Sequence, residues 1–154
     1  MSQISMDLRI ADPAWKEISE LESLADRAFG SACSELDPRP AGEVAILLTD
    51  DAEMQALNRE WRGKDMPTDV LSFPADDMQS GFLGDLALGH GICVRDARKQ
   101  GVSLVDHTTH LLIHGFYHLL GYDHETEAEA AVMEGLEVSA LARLGLPDPY
   151  SRIT

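Results

Sequence analysis

A chain of 154 residues is long enough to bury one substantial core and too short for two comfortable domains. An apolar fraction of 44% beside 25% charged residues marks an ordinary globular protein, and no run of about 18 uninterrupted apolar residues offers a membrane span. The formal net charge of −15 argues against a chain that coats nucleic acid nonspecifically. The first residues lack a basic segment followed by an apolar run, so no secretory signal is expected. Cys33 and Cys93 are then expected as free thiols in a reducing cytoplasm. The charge is unevenly spread: Asp123 to Glu137 holds six acids and no lysine or arginine, while half of all Lys and Arg sit in "REWRGK" (59–64) and "RDARK" (95–99).

"MDLRI" (6–10) alternates as a first strand does. Asp12 then offers an N-cap with Pro13 at the first helical position, and Ile18, Leu21, Leu24 and Ala25 make an apolar stripe, predicting one helix to about Gly30. "EVAILLT" (43–49) reads as a central strand. Asp50 or Asp51 caps a helix through Met54, Leu57 and Trp61 that Gly63 stops. "DVLSF" (69–73), between two prolines, suits a short or edge strand, and "FLGDLAL" (82–88) another. A helix is expected from about Ile92 to Gln100, with His90 left in a loop. Ser103 with Asp106, and Thr126 with Glu129, resemble capping boxes. They open a helix from Leu104 to Gly121 and a final one with Met133, Leu136, Ala140, Leu141 and Leu144 inward. The expected architecture is a single α+β domain over 1–154: a mixed sheet of about four strands packed with about five helices, the histidine-bearing helix central. The strand order is not legible.

That helix carries "HLLIHGFYHLLGYDHET" (110–126), with His114, His118 and His124 inside eleven residues. At 100° per residue His110, His114 and His118 fall within roughly 80° of one another, with Leu112, Phe116, Leu119 and Leu120 on the far side. One turn apart, His114 and His118 can converge on one ion. Gly121 then reverses the chain and can bring His124 over them as a third ligand. Three neutral imidazoles suit zinc or another borderline divalent ion and leave a coordination position open. His107 and His110, upstream on the same side, are expected to be structural or to orient a ligand. The spacing matches the metzincin proteases, but the glutamate that serves them as general base is replaced by Gly115.

Read together, "HGFYHLLGYDH" (114–124), "LNREWRGKDMPTDVLSFP" (57–74), "LGDLAL" (83–88) and "LGLPDPY" (144–150) resemble the YbeY-type endoribonucleases, the bacterial rRNA maturation factors. Tyr117, where the family usually has leucine, is the one mismatch in the first block. The resemblance implies an α+β, single-strand-type, metal-dependent endoribonuclease of the cytoplasm, acting in 16S rRNA 3′-end maturation and ribosome quality control. It implies one zinc ion per chain held by His114, His118 and His124, and places Arg62 where the family has an essential arginine. Arg62 has the planar, permanently charged fork suited to a phosphate, its plainer role being a salt bridge with Glu60 or Asp65. Arg59 and Lys64 are expected to add substrate contacts. Asp123 is expected to orient the neighbouring imidazole or to cap the preceding turn, and Asp85 and Ser72 are candidates to approach the metal. The partners implied are rRNA and the small ribosomal subunit, with a ribosomal protein or an assembly GTPase helping so acidic a chain find its substrate. Two alternatives stay open: a non-catalytic assembly factor that zinc stabilises, and a metal-dependent hydrolase of another substrate, which Gly115 disfavours where that substrate is a peptide.

Overall fold

In the computed structural model, residues 4–77 and 80–150 are described. Strands β1 (Ile4–Ile10), β2 (Gly42–Thr49), β3 (Val70–Pro74) and β4 (Phe82–Gly89) form one sheet in the order β1-β2-β4-β3. β1 and β4 both run parallel to β2, and β3 closes the edge antiparallel to β4. Parallel neighbours need a crossover, which α1 (Leu21–Ser34) supplies between β1 and β2. Three more helices, α2 (Asp51–Arg62), α3 (His90–Gln100) and α4 (Leu104–Leu119), precede a last one, α5 (Glu127–Arg143). The mixed sheet with helices packed over it is the α+β domain expected.

Alternation along the strands divides the sheet into two faces. Val44, Ile46 and Leu48 of β2, with Leu86 and Leu88 of β4, join the main core beneath α1, α4 and α5. On the opposite face Met54 of α2 packs with Leu71 and Ala87, flanked by Leu47 and Phe73. Helix α4 lies at the centre, touching α1, α3, α5, β3 and β4. It comes so close to the sheet at Gly115 that an added Cβ would stand 2.7 Å from Leu86 Cδ2 and 3.2 Å from Ser72 Oγ. The position where a metzincin carries its glutamate therefore faces packed sheet. Tyr117, the mismatch in the motif, is fully buried, and its hydroxyl donates to the Ala32 carbonyl at 2.8 Å. A tyrosine fits a leucine's place because its polar end has a partner.

Three expectations about elements need correction. The stretch from Pro13 to Gly30 is not one helix: Pro13–Glu17 forms a 3-10 turn capped by Asp12, and Ile18 is extended. Trp15 is fully buried with its indole N–H on the Thr49 carbonyl at 2.9 Å, and this tertiary anchor overrides the helical stripe. Helix α1 then runs past Gly30 to Ser34, because Ser31, Ala32 and Cys33 are buried where it packs on its neighbours. His90 opens α3 instead of lying in a loop, bonded to Glu17 at 2.7 Å. Asp51 reaches across to accept from the Ile92 N–H at 2.9 Å and pair with Arg95 at 2.7 Å, supplying from α2 the cap that α3 lacks in its own sequence. Both cysteines are buried and free.

Candidate metal centre

Ser103 caps α4 as expected, accepting from the Asp106 N–H at 3.1 Å, and the helix then carries His114 and His118 one turn apart to its C-terminal end. Gly121, at φ +101°, takes the backbone into the left-handed region and turns the chain back. His124 returns with its ring centroid 5.7 Å from that of His114 and 5.1 Å from that of His118, which are themselves 4.6 Å apart. One ligand nitrogen from each of the three lies within 4.8 Å of the others. The structure thus brings together the three histidines singled out from the motif.

The hydrogen bonds around the rings fix what they offer. His114 Nδ1 lies 3.1 Å from Glu137 Oε2, and His118 Nδ1 lies 2.9 Å from the Tyr122 carbonyl oxygen. Both acceptors lack protons, so both Nδ1 atoms must donate. With both rings neutral, the two Nε2 atoms are then bare, and they face each other at 3.1 Å. Two lone pairs repel at that distance unless a proton or a metal cation stands between them. Two nitrogens bound to one tetrahedral zinc would be about 3.3 Å apart, so the donor set and its spacing fit a divalent ion. Burial, then the neighbouring His114 and His124, lower the His118 pKa, which keeps that ring neutral and able to donate its lone pair.

Glu137, on α5, is the residue that motif reasoning missed. It is wholly buried, and besides His114 it accepts from His110 Nε2 and from the Tyr150 hydroxyl, each at 2.7 Å. Burial alone would raise its pKa, but the bonds from His110 and His114 outweigh that and bring it down to about 2. An ionised carboxylate therefore holds the proton of His114 on Nδ1, the part expected of Asp123 toward His124. Asp123 itself accepts from the backbone N–H of His124 at 2.8 Å, while its carboxylate is 3.8 Å from that ring's Nδ1. It shapes the turn. The signal for Glu137 was present in the sequence as an acid one turn beyond Met133, inside the inward stripe of the last helix.

The histidines open onto a groove that Trp61, Arg62, Asp69, Ser72 and Asp123 also line. Arg62 is the last residue of α2, and Gly63 in the left-handed conformation ends the helix immediately after it. The salt bridge considered for Arg62 goes elsewhere: Asp65 pairs with Arg59 at 3.5 Å and accepts from Gln55 at 2.9 Å. Arg59 and Lys64 are exposed but are not among the residues lining the groove. Ser72 lies on the α4 face of the sheet, its hydroxyl 3.4 Å from the Gly115 carbonyl, whereas Asp85 points to the other face and is exposed, away from the histidines. Asp69, another residue the motif did not single out, is half-buried in the groove wall. Burial, followed by a hydrogen bond with the Asp96 side chain, raises its pKa. Among the described residues, no helix is long and apolar enough to cross a membrane.

Known proteins match the chain over nearly its whole length. Residues 9–145 match the family model described as Endoribonuclease YbeY. The protein named endoribonuclease YbeY from Maricaulis maris is 47% identical over 146 residues, covering 95% of this chain and 91% of its own. That of Novosphingobium aromaticivorans is 46% identical, covering 96% and 95%. In fold, the chain resembles a Thermotoga maritima protein solved in solution, with a TM-score of 0.59 at 23% identity over 91% of each chain.

Proposed function

The chain belongs to the YbeY endoribonuclease family, and from that premise we propose that it is a zinc-dependent endoribonuclease maturing the 3′ end of 16S rRNA in the cytoplasm. The observation that carries the reading is the convergence of three imidazoles, two with their Nε2 atoms 3.1 Å apart, on a groove that also holds Arg62. Phosphodiester hydrolysis needs charge stabilised on the non-bridging oxygens, a nucleophile and a protonated leaving oxygen. A divalent ion held by His114, His118 and His124 supplies Lewis acidity toward the phosphoryl oxygen and an activated nucleophile near pH 7. Arg62 contributes a fork that binds a non-bridging oxygen and strengthens its hold as charge grows there. Glu137 keeps His114 in the tautomer whose Nε2 faces His118. Asp123 sets the turn that delivers His124. Arg59 and Lys64, exposed beyond Arg62, add contacts to more distant phosphates. Recruitment to the small subunit falls to a ribosomal protein or an assembly GTPase, because a net charge of −15 gives the chain little attraction of its own for RNA.

The test is metal analysis of the purified protein beside an RNA cleavage assay on wild type, Arg62→Ala and His114→Ala. Bound zinc near one per chain, cleavage by wild type, and loss in both variants are expected. An Arg62→Ala protein that still processes rRNA normally would instead assign the chain a non-catalytic assembly role. Cleavage of peptides but not RNA would assign it to another class of hydrolase.

A further inference from the structure

Trp61 is 66% exposed, whereas the other tryptophan, Trp15, is wholly buried. An indole left in water forfeits a large burial energy, so its position calls for a reason. Three observations give one. Trp61 is the residue before Arg62 at the end of α2, and both line the groove that holds the histidines. Its ring is braced edge-on by Phe73 of β3, with centroids 6.2 Å apart and planes at 66°, so the indole is supported from the sheet side. And beyond the ion the histidines would hold, the groove's described side chains carry little positive charge, since Asp69, Asp123 and Glu125 line it beside one arginine. Away from the cleaved phosphate, a nucleic acid held there gains little from phosphate attraction. Base stacking on an aromatic ring needs no charge and tolerates any sequence.

We propose that Trp61 is the stacking platform for an unpaired RNA base next to the phosphate that Arg62 contacts. This deepens the ribonuclease reading and rests on it. A base already stacked within a duplex cannot also lie on the indole, so Trp61 is the residue that gives the single-strand preference implied by the resemblance its physical basis.

The experiment compares wild type, Trp61→Ala and Trp61→Phe on one RNA oligonucleotide, presented single-stranded and in a duplex, and follows tryptophan emission as the single strand is added. Trp61→Ala is expected to raise KM about 5- to 100-fold for the single strand. Its kcat should change little, because a stacked base is held equally before and during the reaction. Trp61→Phe keeps a ring and should stay within a few-fold of wild type. Single-stranded RNA should quench wild-type emission and leave that of Trp61→Phe, which reports only the buried Trp15, unchanged. An unaltered KM in Trp61→Ala, no quenching, or equal cleavage of duplex and single strand would overturn the proposal. So would a defect seen only on assembled ribosomal particles, which would make Trp61 a contact for a protein. If wild type cuts no RNA at all, the ribonuclease reading fails, and the emission titration still decides whether Trp61 stacks on a base.

Discussion

Glu137 and Arg62 are the side chains on which the site depends beyond its three histidines. Replacing Glu137 by glutamine leaves a neutral group where an ionised one held the Nδ1 proton of His114, and the metal affinity should fall about 10- to 100-fold by competition with a chelating dye. The same residue sets an acid dependence in the metal-free protein. Its folded pKa of about 2 lies below the 4.5 of an ordinary glutamate, so the unfolded chain takes up a proton that the folded one refuses. That contribution to stability is complete above pH 4.5 and drains away as the pH falls toward 2; it amounts to roughly 3 kcal/mol. Urea unfolding between these limits should show the slope in wild type and a flatter one in Glu137→Gln. Arg62→Ala removes a contact that tightens in the transition state, for which a loss of about 100-fold in kcat/KM is expected, near 3 kcal/mol. Sequence made the three histidines legible because their spacing is local, and Arg62 only through the family resemblance of the block that carries it. Glu137 was not legible as the partner of His114, because 23 residues separate them and only the packing of α5 against α4 brings them together.

Among the elements, α4 carries the site and the sheet fixes its depth. Gly115→Ala should cost about 1–3 kcal/mol in denaturant unfolding, since its Cβ would meet Leu86 Cδ2 at 2.7 Å inside a filled core. A wild-type midpoint in that variant would mean that α4 can ride up off the sheet without penalty. The helices whose caps lie in their own sequence, Ser103 for α4 and Thr126 for α5, were readable to within a residue or two. Those governed from elsewhere were not. Trp15, anchored on Thr49 of β2, breaks the helix that the stripe from Ile18 to Ala25 promised, and Asp51 of α2 lets α3 begin at His90. The strand order also needed the structure, since nothing in the sequence of β3 says that it pairs with β4 at the sheet's edge.

For the molecule as a whole, charge and core point to how it works. Its core forms around α4 through Leu112, Ile113, Phe116 and Leu119, none of which needs an ion in place. Chelation should therefore abolish cleavage while leaving the far-ultraviolet circular dichroism unchanged; collapse of the helical signal would instead make the metal a structural clamp. A net charge of −15 with one arginine lining the groove among the described residues also predicts a shallow salt dependence for RNA binding. With Arg62, Arg59 and Lys64 as the phosphate contacts, a log–log slope of about −2 is expected, and a slope several times steeper would reveal a further basic surface.

X-ray absorption at the zinc edge of the zinc-loaded protein reads the ion's ligand shell itself. Three imidazole nitrogens at about 2.0–2.1 Å and a light donor from solvent are the result predicted. A fourth donor from the protein itself, whether a cysteine sulfur or a further imidazole, would leave no place for a phosphoryl oxygen and would contradict it.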